Sequence, residues 1–161
     1  SMGDRIAVMS QGGIMQCDSP IEVYNNPATH FIGSFIGNPP MNFLTAGVAE
    51  DRPALLVNGT TLPVDSTMAT HVRHANGAGV LLGIRAENIE ALDSPVEAAL
   101  PATVLVVEPL GSHNLLTVQV GAEQLKVNTH ADAGFRPGQD IWLRLVPDKI
   151  RLINKETGQA I

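Results

Sequence analysis

Ala54-Leu55-Leu56-Val57 and Thr60-Thr61-Leu62-Pro63-Val64, joined by Asn58-Gly59, form the stretch whose reading decides the fold class. Two short apolar runs flank a dipeptide suited to the left-handed conformations of a type I′ turn, a strong hairpin signal. The same texture repeats outward from it. Residues 79–85, 102–108, 115–120, 124–128, 141–145 and 149–153 are short β-type runs divided by Gly, Pro, Asn and Asp. Many short strands with no helices alternating between them predict an all-β sandwich or barrel and argue against a parallel sheet. A small OB-like barrel, with or without a second half-barrel packed on it, is the expected architecture. Residues 66–75 read as a short helix capped by Ser66 and stopped near Gly77.

The first third differs in character. Residues 5–9 are apolar, Gln11-Gly12-Gly13 supplies turn chemistry and Ile14-Met15-Gln16 resumes, which predicts a hairpin. Ser19-Pro20 starts a helix, with Ser19 as N-cap, Pro20 at the first helical position and Glu22 in the first turn. Tyr24, Ala28, Phe31, Ile32 and Phe35 recur at helical spacing, and Pro27 interrupts them, so two short helices or a kink are expected. Gly37-Asn38-Pro39-Pro40 closes this hairpin-plus-helix appendage. Its apolar stripe predicts core, or surface that packs on further structure.

Bulk chemistry excludes several functions. The 161 residues are 44% hydrophobic and only 4% aromatic, so the core is built from Val, Leu, Ile and Ala. The net charge of -6, with Lys126, Lys149 and Lys155 scattered among the arginines, argues against a nucleic-acid partner. Cys17 stands alone, which removes an intrachain disulfide and a cysteine-based zinc site. With no spanning apolar run and no signal-peptide pattern, the chain reads as soluble and cytoplasmic.

No constellation carries catalysis. A phosphate-binding loop needs glycines followed by Lys and Ser or Thr, and none of the three lysines follows a glycine. His71 and His74 are three apart on the expected helix, but no acidic residue or third His adjoins them, and two exposed histidines are the ordinary reading. His113 and His130 lie near strand ends. Ser112-His113 offers a nucleophile beside a base, yet strand neighbours point to opposite faces, so a hydrolase is rejected. Arg85 and Glu87, two apart at a strand end, can form a surface ion pair worth ~0–1 kcal/mol or lie at a subunit interface. The run from Val107 through Glu108 to Gly111 and Ser112 ends in a Pro/Gly turn whose backbone N–H groups suit an anion or a plain structural turn. Arg85, Glu87, Glu108, Gly111 and Ser112 are the candidate interface or ligand residues, and no catalytic, cofactor or metal residue is assigned.

Several strings, in order, resemble the ATP-binding subunits of ABC importers for maltose, other oligosaccharides and glycerol 3-phosphate. Residues 4–9 and 12–16 resemble the last hairpin of their ATPase domain, and residues 19–28 the helical segment that follows. Residues 31–37 with Met41-Asn42-Phe43-Leu44 resemble the junction into the C-terminal domain. Leu82-Gly83-Ile84-Arg85-Ala86-Glu87-Asn88 is similar to a family motif that usually has Pro where Ala86 stands and often His or Asp where Asn88 stands. Val107 to Ser112, Pro137-Gly138-Gln139, Val146-Pro147-Asp148-Lys149 and Thr157-Gly158 complete the pattern.

The resemblance implies that residues 1–38 are the tail of an ATPase domain and residues 39–161 an OB-type (TOBE/MOP-like) regulatory and dimerisation domain. It implies a second copy of the chain, the ATPase domain, membrane permease subunits and a cytoplasmic regulatory protein as partners. The location is then the inner face of the cell membrane. ATP and Mg would belong to the full-length subunit and not to this chain, which is no enzyme by itself. The alternative function is a module that binds a small oxyanion or sugar at the Gly111-Ser112 turn.

Overall fold

Local chemistry accounts for the first elements of the computed structural model, which describes residues 5–10, 12–73 and 79–161. β1 (Ile6–Ser10) and β2 (Gly13–Asp18) pair antiparallel around Gly12. α1 (Pro20–Asn25) starts as expected, with Ser19 Oγ accepting from the Glu22 N–H at 3.2 Å. The residue before Pro27 leaves helical geometry, and α2 (His30–Phe35) restarts behind Thr29, whose Oγ1 accepts from the Ile32 N–H at 3.2 Å. Each helix has six residues, too few to persist without packing. Val8, Val23 and Ile32 supply that packing as a small apolar cluster of their own. The side chains of Phe31 and Phe35 lie outside the described residues.

Beyond Pro40 the chain is mainly strand. β3 (Asn42–Val48), β4 (Ala54–Val57), β5 (Thr60–Pro63) and β6 (Val80–Ile84) precede β7 (Ile89–Leu92) and the long β8 (Leu100–Pro109). β9 (His113–Val120), β10 (Glu123–His130), β11 (Asp140–Leu145) and β12 (Arg151–Asn154) follow. Asn58 and Gly59 turn β4 into β5 with φ of 47° and 83°, the left-handed pair that their chemistry predicts. Two five-stranded antiparallel sheets result, in the orders β12-β6-β3-β4-β5 and β10-β9-β8-β11-β7. The all-β reading holds.

Two expectations need correction here. α3 (Ser66–Arg73) is capped by Asp65, not Ser66: Asp65 Oδ1 accepts from the Met68 N–H at 2.7 Å, and a carboxylate is the stronger acceptor. Gly77, its expected stop, and His74 lie outside the described residues. β3 and β7 were not anticipated as strands, because Asn42 and Gly47 dilute one and Glu90 and Ala91 are poor strand formers in the other.

One core serves both sheets. Leu44, Leu82 and Ile84 from the first meet Leu100, Leu116, Val118, Leu125, Ile141 and Leu143 from the second, all fully buried. Polar bridges tie the sheets as well. The Asn42 amide donates to the Lys126 carbonyl and accepts from the Lys126 N–H, both at 2.8 Å, and Glu123 accepts from the Thr45 N–H at 3.2 Å.

The last residues link barrel and appendage. Ile153 pairs with Ala160, and the Asn154 N–H donates to the Gln159 carbonyl at 2.8 Å. On the other side the Ala160 N–H donates to the Ala28 carbonyl at 2.9 Å and the His30 N–H to the Gly158 carbonyl at 2.7 Å. Among the described residues no helix is long and apolar enough to cross a membrane.

Candidate functional site

A charged residue directly after a buried strand must find its partners in whatever packs there. Ile84 is fully buried, and Arg85, next along, is only 3% exposed. Its Nη2 donates to the Tyr24 carbonyl at 2.7 Å and its Nη1 to the Ile36 carbonyl at 2.6 Å. These carbonyls sit at the C-terminal ends of α1 and α2, where the helix itself supplies no donor and a positive charge is favoured. Arg151 does the same for the neighbouring group, with Nε donating to the Asn25 carbonyl at 2.8 Å. Two barrel arginines therefore cap the two helices.

The aromatic ring of Tyr24 completes the junction. The Arg85 guanidinium carbon lies 4.0 Å from the ring centre, and the Tyr24 hydroxyl donates to Glu87. Gly37 allows this approach: its φ is 103°, and a Cβ there would stand 2.7 Å from Arg85 Nη1. Burial lowers the Arg85 pKa, opposed by Tyr24 and the Glu87 carboxylate. Burial also raises the Tyr24 pKa, helped by its hydrogen bond to Glu87 and by the Glu87 charge, with Arg85 opposing. Arg85 Nε is buried and has no hydrogen-bond partner among the described residues.

Five residues were singled out from the sequence, and the structure groups only two of them. Arg85 and Glu87 do not form the expected surface ion pair. Arg85 turns inward to backbone carbonyls, and Tyr24 stands between the two groups. Glu108, Gly111 and Ser112 are exposed on the β8–β9 hairpin, and no hydrogen bond joins them to the junction among the described residues. Ser112 and His113 also depart from the reading that held them apart. Ser112 lies in the turn rather than the strand, so alternation does not apply, and its Oγ is 2.9 Å from His113 Nδ1. This contact is exposed, and neither side chain has a further hydrogen bond among the described residues. His71 is exposed, and no group of three His, Cys, Asp or Glu among the described residues is placed to hold a metal ion.

Sequence reasoning missed Tyr24, Asn42 and Arg151. An arginine closing an apolar strand was the available signal for the first of these contacts, since a buried guanidinium needs carbonyl partners. The appendage also exposes Met9, Ile14 and Ile21, the last at 72%, which lie outside the apolar stripe singled out from the sequence, whereas Ile32 of that stripe is fully buried. A cleft of about 700 Å³, lined at one end by Glu87 of the junction, lies against β7, β10 and Phe135.

Comparison with known proteins adds to this geometry. A MalK OB fold domain model matches residues 37–89 and a TOBE domain model residues 82–153. Among curated relatives, an uncharacterized ABC transporter ATP-binding protein of Sinorhizobium fredii is 37% identical over 163 residues. An sn-glycerol-3-phosphate import ATP-binding protein of Agrobacterium fabrum is 33% identical over 162 residues. A sulfoquinovosyl glycerol transport ATP-binding protein of the same organism is 32% identical over 161 residues. Each alignment takes in all of this chain and 42%, 42% and 44% of the relative, so the chain spans less than half their length. A solved structure of the cytoplasmic molybdate-binding protein ModG superposes with a TM-score of 0.55 at 16% identity, covering 69% of this chain and 94% of that one. That likeness speaks to the fold alone.

Proposed function

We propose that this chain, which matches the TOBE and MalK OB fold domain models and aligns with part of ABC-importer ATP-binding subunits, is the regulatory and dimerisation region of such a subunit. The single observation that carries this reading is the capped junction. Arg85 and Arg151 hold the helix ends by their backbone carbonyls, and the tail at residues 158–160 stitches the same segment to β12. The hairpin-and-helix segment and the barrel then move as one body. Such a body passes a displacement arriving at the helices on to the barrel surface, while barrel-to-barrel pairing persists through the cycle.

In this reading the partners are a second copy, an ATPase domain that supplies the ATP and Mg chemistry, and through it membrane permease subunits. A cytoplasmic regulatory protein is a further partner. The site of action is the inner face of the membrane, and the cargo is a carbohydrate or related polyol, the class to which the sulfoquinovosyl glycerol and sn-glycerol-3-phosphate of the relatives' names belong.

Sedimentation equilibrium over a wide concentration range tests the pairing. A dimer that persists in the double variant Met9→Asp, Ile21→Asp supports a barrel interface. A chain that is monomeric at every concentration refutes pairing. A dimer lost in the double variant assigns association to the exposed apolar surface of the appendage and refutes pairing by the barrel.

A further inference from the structure

Two side chains held side by side on a rigid ladder can share a ligand that neither retains alone. His113, which opens β9, and His130, which closes β10, are such a pair. They stand directly opposite in a register that runs from Glu123 and Val120 to His130 and His113 without a bulge. Residues directly opposite across antiparallel strands lie on one face of the sheet. Both histidines also line the cleft that lies against β7 and β10.

Opposite positions alternate between hydrogen-bonded and non-hydrogen-bonded pairs, and side chains come closer in the second kind. Lys126 fixes the phase. Its N–H and C=O both bind the Asn42 side chain, so Lys126 and Thr117 form a pair without ladder bonds. In steps of two toward the strand ends, Asn128 with Leu115 and His130 with His113 are pairs of the same kind. The carbonyls at the ends agree. That of His113 turns to β8 and accepts from the Leu110 N–H at 2.9 Å, and that of His130 accepts from the Ala133 N–H at 3.1 Å. The histidines therefore sit where Cα atoms are ~4.5 Å apart and Cβ atoms ~4.5–5.5 Å apart. Two imidazole nitrogens on one ion, each at ~2.0–2.1 Å, are roughly 3 Å from each other, and two rings leaning together from that spacing reach it.

Ring chemistry names the ligand. His113 Nδ1 lies 2.9 Å from Ser112 Oγ, which leaves Nε2 free to ligate. When Nε2 gives its lone pair to a metal ion, Nδ1 carries the proton and donates it to Ser112 Oγ, the arrangement usual for a ligating histidine. Imidazole suits zinc, nickel and copper, whereas magnesium and calcium prefer oxygen. We infer that His113 and His130 form a two-histidine site for a divalent transition-metal ion of the zinc, nickel or copper class, held through both rings. Among the described residues no group of three His, Cys, Asp or Glu is placed around one ion, so water completes the coordination. Such a site is open and exchangeable, unlike the closed four-ligand sites that hold a fold together. It is independent of how the barrels pair.

The test titrates Zn²⁺ into the whole chain at mildly alkaline pH, since ligation needs the neutral ring, and follows the histidine ring nitrogens by NMR. The expected result is that the His113 and His130 Nε2 signals move together with one midpoint. His30, whose ring meets Phe43 edge-on, should stay still over the same range. His113→Ala and His130→Ala should each raise the midpoint at the remaining ring at least about tenfold. His130 is exposed, so its variant should keep the metal-free Tm. Mg²⁺ should move neither ring. No movement at millimolar Zn²⁺ overturns the inference. Separate midpoints for the two rings, or an unchanged midpoint at one after loss of the other, would reveal two independent histidines and overturn the shared site. The same midpoint at His30, or an equal response to Mg²⁺, would do so as well.

Discussion

Replacing Arg85 with Met keeps much of the side chain's length while removing its charge and its donors. The Tyr24 and Ile36 carbonyls, now held at 2.7 and 2.6 Å, would be left buried without partners. Each such loss costs ~1–3 kcal/mol, and the lost stacking on Tyr24 adds ~0.5–2 kcal/mol. Against these stands relief from keeping a cation buried, an effective penalty of several kcal/mol per ion. The expected net loss is about 3 kcal/mol. For a chain of this size, 1 kcal/mol moves Tm by ~2–4 °C, which gives a fall of about 6–12 °C. Arg85→Lys keeps the charge but offers a single point donor in place of a planar fork, so about half the loss should remain. Thermal unfolding by circular dichroism measures the shift, and hydrogen exchange should show loosening first in residues 20–36. A fall in Tm below about 2 °C for the Met variant, or full rescue by Lys, would refute the argument that this guanidinium joins helices and barrel.

Three further outcomes are expected. The folded-state pKa of Tyr24 is raised above its ordinary value near 10, so its contribution to stability is complete below that value and is lost as pH rises through the folded one. Urea midpoints followed into the alkaline range should therefore fall in the wild-type chain and lose part of that slope in Tyr24→Phe. Asn42→Ala removes both bonds to Lys126 and should destabilise by about 2 kcal/mol, at ~0.5–1.5 kcal/mol per hydrogen bond with an added desolvation cost; an unchanged denaturation midpoint would show that water replaces the amide. Molybdate, sulfate and phosphate should leave Tm unaltered, because Gly111 and Ser112 form an exposed turn with no lysine or arginine of its own. A rise of several degrees with any of them would favour the oxyanion-binding alternative.

Local signals proved legible where a side chain acts on backbone within a few residues. Ser19, Pro20 and Pro27 set the start and the break of the helical segment, and Asn58-Gly59 set its hairpin, because capping, ring geometry and left-handed φ are properties of short peptides. The Asp65 cap was missed by one position, since both Asp and Ser are good caps and only the phase of the following turn chooses between them. β7 was illegible for a different reason. Four residues including Glu90 and Ala91 have weak strand preference, and pairing with β11 makes them a strand. Ser112 and His113 were separated on paper by strand alternation and brought together by a turn that begins one residue earlier.

From the sequence alone came the all-β class, the hairpin-plus-helix appendage and the family, since periodicity, turn residues and ordered strings survive without knowledge of the fold. Only the tertiary structure decided what Arg85 does. Its partners are 61 and 49 residues away, and both are backbone carbonyls, which every residue possesses and which no side-chain pattern announces. The approach of β7 to β10, the two outer strands of one sheet, is likewise a matter of how a sheet curves, and curvature arises from packing summed over a whole core rather than from any short run of residues.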